Sequence, residues 1–111
     1  MIKVYTLPEF EKSLKKLVKK YPSLKQEYLV FVDKTENEGA QGRSLGNGFY
    51  KARLLVKSKG KGKKGGLRIV SHQEVIYHLD ETIVRLVVIY DKSEITTVDR
   101  KYLDNLINQY R

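Results

Sequence analysis

The nine residues from Thr82 to Tyr90 (Thr-Ile-Val-Arg-Leu-Val-Val-Ile-Tyr) are almost all apolar or β-branched. A strand with one wet face alternates polar and apolar side chains; a run like this one belongs to a strand covered on both faces. It predicts the central strand of a sheet, and it obliges the rest of the chain to supply partner strands and a covering layer.

Two segments upstream qualify as partners. Phe49 to Lys57 alternates, with Tyr50, Ala52, Leu54 and Val56 on one face and Phe49, Lys51, Arg53 and Leu55 on the other. The two-residue repeat sets Lys51 and Arg53 about 7 Å apart on the outer face. Leu67 to Leu79 reads as a second strand. Leu67, Ile69, Val75, Tyr77 and Leu79 share one parity, and Arg68, Val70, His72, Ile76 and His78 share the other. Ser71-His72-Gln73-Glu74 interrupts this pattern as a bulge or a turn. Asp80-Glu81 is a tight connection into the apolar run. Ile2 to Tyr5 is a short edge strand.

The covering layer is helical. Thr6-Leu7-Pro8-Glu9 has the form of a capping box, and Phe10, Leu14, Leu17, Val18 and Tyr21 follow at the spacing of an amphipathic helix. Lys12, Lys15, Lys16, Lys19 and Lys20 occupy its other face, as a solvated face or a secondary contact with a nucleic-acid backbone. Pro22 ends that helix, and Ser23-Leu24-Lys25-Gln26 opens another, again with a capping-box pattern, with Leu24, Tyr28, Phe31, Val32 and Thr35 on one side and Leu29 widening the stripe. The short connection predicts an antiparallel helical hairpin. Gly39 to Gly48 reads as a loop, Asp91-Lys92-Ser93-Glu94 as a polar loop. Val98, Tyr102, Leu103, Leu106, Ile107 and Tyr110 mark a last amphipathic helix. The expected fold class is α+β: an N-terminal strand and helical hairpin packed on a mainly antiparallel β-sheet, with a C-terminal helix and the helices on one face. Neither a repeat nor a linker breaks the chain, so residues 1–111 read as a single domain.

The charge is unevenly placed. The net charge is +9, yet Gly39 to Gln73 contains no Asp or Glu and holds nine cations, while the remaining 13 basic residues balance 13 acidic ones. Within that window, Lys57 to Arg68 carries six cationic side chains and four glycines. A concentrated positive field attracts polyanions, nucleic acid first and acidic protein segments next. Lys57, Lys59, Lys61, Lys63 and Lys64 are candidate RNA-binding residues on this ground. Tyr90, near a strand end, is a candidate for stacking on an unpaired base. Cysteine is absent, and the two histidines do not match a zinc pattern, so no metal or other cofactor is expected. The Lys/Gly stretch lacks the glycine spacing and the Lys-Ser/Thr pair of a nucleotide-binding loop. No signal segment and no apolar run of membrane-spanning length is present, which points to a soluble, cytoplasmic protein with no membrane partner.

The series Tyr50-Lys51-Ala52-Arg53, then Lys59-Gly60-Lys61-Gly62-Lys63-Lys64-Gly65-Gly66-Leu67-Arg68, then Ile89-Tyr90-Asp91-Lys92-Ser93-Glu94 resembles the RelE/HigB branch of the RelE/ParE toxin superfamily. The resemblance spans most of the chain from Phe49 onward. It implies a toxin of a type II toxin-antitoxin system: a ribosome-dependent mRNA endonuclease acting in the decoding site and silenced by a cognate helix-turn-helix antitoxin. It also implies metal-independent attack of a ribose 2′-hydroxyl on the adjacent phosphate. Lys51, Arg53 and Arg68 align with the cationic positions of such toxins, and Lys92 is retained after the last strand. Arg68 suits the phosphoryl oxygens, because a guanidinium fork matches them in two places. Lys51 or Arg53 would bind the phosphate, and a lysine serving as base needs its pKa lowered, as crowded cations can do. Ser93 stands where some relatives carry an arginine, and Asp99 where they carry a tyrosine, which leaves the general acid unassigned; His72 is the candidate. The alternatives are a non-catalytic basic module that binds RNA or ribosomes, and a ParE-like gyrase inhibitor.

Overall fold

Five strands and three helices follow one another among the described residues 1–59, 66–95 and 98–110 of the computed structural model: β1 (Ile2–Thr6), α1 (Pro8–Lys20), α2 (Leu24–Glu38), β2 (Arg43–Gly46), β3 (Phe49–Leu54), β4 (Leu67–Ile76), β5 (Glu81–Asp91) and α3 (Arg100–Tyr110). Short 3-10 turns occupy Lys57–Lys59 and Tyr77–Leu79. The strands form one sheet in the order β1-β5-β4-β3-β2. β1 runs parallel to β5, and every other pairing is antiparallel. The α+β expectation holds.

The apolar run lies in β5, between β1 and β4, and β4 holds the middle place. An interior position requires both faces to be covered, not a uniformly apolar sequence. β4 buries every residue from Leu67 through His72, Arg68 and His72 included. The interruption at Ser71 is a bulge and not a turn: Val70 pairs with Val88 but Ser71 pairs with Leu86, leaving Val87 as the extra residue on β5. β4 then ends at Ile76, and Tyr77–Leu79 is a turn closed by Asp80 in the left-handed conformation.

The stretch 39–48 is not only loop, because β2 pairs there with β3. Its entry depends on Gly42, at φ +94, where a Cβ would stand 2.1 Å from the Lys51 carbonyl oxygen. Neither capping box forms. Thr6 pairs with Leu86 in the β1/β5 ladder, so Leu7 becomes the N-cap of α1, with no side-chain cap. Glu9 and Glu11 in the first turn and Lys19 and Lys20 in the last complement the helix dipole instead. The Ser23 hydroxyl donates to Glu27 Oε1 (2.9 Å) and accepts from the Ser58 amide (2.9 Å), tying the start of α2 to the turn after β3. Leu24, Phe31 and Thr35 are the buried stripe of α2; Leu29 is half exposed and does not extend it.

The helices do not share one face of the sheet. Val30 and Phe31 of α2 line a groove with Ala52 and Leu54, on the hairpin side. Arg100 and Leu103 of α3 border a cavity with Lys51, Val70 and Tyr90, whose side chains alternate with that set. The Arg100 guanidinium lies 4.8 Å from the Phe49 ring centroid on the same side. This second face carries apolar Phe49 and Val70 as well as cations, and those apolar groups need a cover that α3 supplies. No helix among the described residues is long and apolar enough to cross a membrane.

Candidate functional site

Register brings the cations together. Arg53 lies directly opposite Arg68, and Arg68 directly opposite Tyr90, so these three cross the sheet in one row on one face. Lys51 is two residues from Arg53 on that face, and Arg43 of β2 is its cross-strand partner. Lys92 joins from the turn after β5. Arg43, Lys51, Arg53, Arg68, Tyr90 and Lys92 line a cavity of about 230 Å³. Like charges set directly across a ladder are destabilising. Folding nevertheless gathers five cations around one small space with no acid in its wall.

Arg68 is the deepest of them, 4 % exposed. Its Nη1 donates to the Leu67 carbonyl (3.2 Å) and, at longer range, to the Gly66 carbonyl (3.5 Å). It forms no ion pair with a carboxylate among the described residues. A buried charge without a counter-ion is costly, so the site favours an anion. Burial, and then the neighbouring Arg43, Arg68, Lys92 and Arg53, push the Lys51 ammonium below the ordinary lysine pKa. Burial raises the Tyr90 phenol, against the opposing pull of Arg68.

The nearest acid in the chain, Asp91, turns to the other face. Its carboxylate accepts from the Tyr21 hydroxyl (2.8 Å), the Ser93 amide (2.9 Å) and the Ser93 hydroxyl (2.7 Å), and pairs with Lys59 Nζ at 3.1 Å. Burial alone would raise its pKa. The two Ser93 bonds, Tyr21 and Lys59 outweigh that and hold it at about 2. These contacts fix the turn that carries Lys92.

Of the residues singled out from sequence, Lys51, Arg53, Arg68, Lys92 and Tyr90 meet here. His72 does not. It sits four residues along β4 from Arg68, about 13 Å away by strand rise. Its Nε2 lies 3.1 Å from the Asn47 carbonyl oxygen and its ring packs edge-on to Phe49, which ties down the β2–β3 turn. Its burial serves that turn, so the general-acid role is corrected on distance. Lys59 is spent on Asp91 and lies 5.7 Å from the Tyr21 ring centroid on the hairpin side, away from the cavity. Lys57 borders a separate groove with Pro22, Glu27 and Val30. Lys61, Lys63 and Lys64 lie outside the described residues. Arg43 joins the site although the sequence does not single it out; its membership of the acid-free window is the available signal, but four residues ending in glycine give little sign of a strand. Ser93 and Asp99 have structural duties: Ser93 on Asp91, and Asp99 Oδ1 accepting the Lys101 amide (3.2 Å) at the start of α3.

The wall offers donors and one phenol. It lacks the carboxylates, imidazoles and thiolates that bind divalent cations, so it suits a phosphate and not a metal ion. No protein-family model matches the chain, and no curated protein matches it.

Proposed function

We propose that this chain is a toxin-type endoribonuclease of the RelE/HigB kind, cutting mRNA in the ribosomal decoding site without a metal ion. In the cytoplasm a cognate helix-turn-helix antitoxin would hold it silent. The observation that carries the reading is the acid-free cavity in which Lys51, with a depressed pKa, stands beside Arg68, which has no carboxylate partner among the described residues.

Each group has a role under this reading. Arg68, backed by Arg53 and Arg43, binds the non-bridging phosphoryl oxygens and opposes the charge that grows on them. Lys51 in its amine form takes the 2′-hydroxyl proton, and the 2′-oxygen attacks phosphorus. The bond to the 5′-oxygen breaks, leaving a cyclic phosphate and a 5′-hydroxyl. Lys92 or the Tyr90 phenol, both in the cavity wall, would give the departing oxygen its proton.

The structural engagement of Ser93 and Asp99 favours a second reading, a basic module that binds RNA or the ribosome without cutting it. Cell-free translation separates the two. The nuclease predicts discrete mRNA cuts that need engaged ribosomes and disappear with Arg68→Ala. Inhibition with intact message supports the second reading, and full translation with intact message rejects both.

A further inference from the structure

Beside the cationic cavity is another of about 250 Å³, lined in part by apolar Leu45, Val70, Val98 and Leu103. The two share Lys51 and Tyr90 as walls. One compartment is therefore cationic and the next is largely apolar; each alone is smaller than the usual ligand site of about 300–1,000 Å³, and together they fall within that range.

We infer that the cavity under α3 is a nucleobase subsite, taking the base of the nucleotide whose phosphate occupies the cationic cavity. This rests on the phosphate reading above. A nucleotide has the same division, an anion joined at short range to a flat, largely apolar ring with polar edges. Tyr90 stands at the junction, 6 % exposed, where its ring can meet a base while Arg68 across the ladder holds the phosphate. Arg100 supplies a polar wall group. Its Nη1 and Nη2 donate to the Leu45 and Gly46 carbonyls (2.8 Å each), which fixes the guanidinium in place. Its Nε is sealed off and lies 3.5 Å from Asp104 Oδ1, so what Arg100 offers the recess is the fixed positive charge of the guanidinium, which suits the acceptor edge of a base. The subsite takes a single-stranded base, because a ring inside a duplex stack cannot enter a recess.

The test uses a short 2′-O-methyl RNA, which cannot be cleaved, and the same backbone carrying abasic residues. Intact RNA is expected to bind about tenfold more tightly than the abasic one. Leu45→Trp, which fills the recess, should bring the intact RNA down to the abasic level and leave abasic affinity unchanged. Val98→Trp repeats the test should Leu45→Trp fail to fold. Equal affinity for the two RNAs in the unmodified protein, or a difference that survives the filled variant, overturns the subsite. Abasic RNA that binds as well after Arg68→Ala as before sinks the phosphate reading, and the subsite with it.

Discussion

Asp91→Asn tests how the fold holds the site's last strand and turn. The Asp91 side chain is 1 % exposed and pairs with Lys59, itself 9 % exposed. Its pKa falls from the ordinary 3.8 to about 2, which corresponds to about 2 kcal/mol of preference for the ionised form in the folded state. Asparagine keeps an oxygen for Ser93 but leaves the Lys59 ammonium buried without its partner, a loss of about 3–5 kcal/mol in other buried pairs. The expected destabilisation near neutral pH is about 3 kcal/mol, or roughly 12 °C in Tm for a chain of this size. The pH dependence follows from the sign of the shift. A folded pKa below the unfolded one gives stability that is complete above 3.8 and is lost as pH falls through about 2. By about pH 3 roughly half of it is gone. The variant has no such titration, so the gap between the two proteins should narrow over that range. Urea unfolding followed at several pH values measures it. A loss under about 0.5 kcal/mol at neutral pH, or a gap that does not change on acidification, would refute the assignment of Asp91 as the buried anchor.

The depressed Lys51 pKa predicts cleavage that rises with pH and levels off below the ordinary lysine value of 10.5; Lys51→Arg should abolish that limb while retaining RNA binding, as rate against pH would show. Linkage gives the matching stability sign: the charged lysine is disfavoured in the fold, and the penalty fades as pH rises toward the unfolded value. His72→Gln should lower stability by about 1–2 kcal/mol through the Asn47 contact and the Phe49 packing, and yet leave cleavage by the folded fraction intact; loss of cleavage without loss of stability would return His72 to the site. Gly42→Ala places a methyl against the Lys51 carbonyl at a positive φ, so about 2 kcal/mol or more of destabilisation is expected, together with weaker RNA binding as Arg43 is displaced. Normal stability in that variant would mean that β2 does not enter as described.

Much of this was legible because strand parity is local. Lys51 and Arg53 share a face by the two-residue repeat, and the Val70 and Arg68 parity was likewise plain in the sequence. Which of the two faces a helix covers is not local. Phe49 has the parity of Lys51, and its burial together with that of Val70 brought α3 onto the cationic side. The capping boxes fail for a similar reason: Thr6 satisfies the local rule, but the ladder with Leu86 claims it first, and the Ser23 hydroxyl goes to Glu27 and the distant Ser58 amide. Composition makes Lys59 a candidate RNA-binding residue because an ion pair across 32 positions to Asp91 leaves no mark on it.

The order and type of most elements, the acid-free window and the outward Lys51 and Arg53 were decided by the sequence alone, since periodicity and charge count need no partner. Register, the bulge at Val87 and the direction of Asp91 were decided by tertiary structure. Those three turn a list of basic residues into one cavity with its acid facing away, and each depends on contacts between segments far apart in the chain.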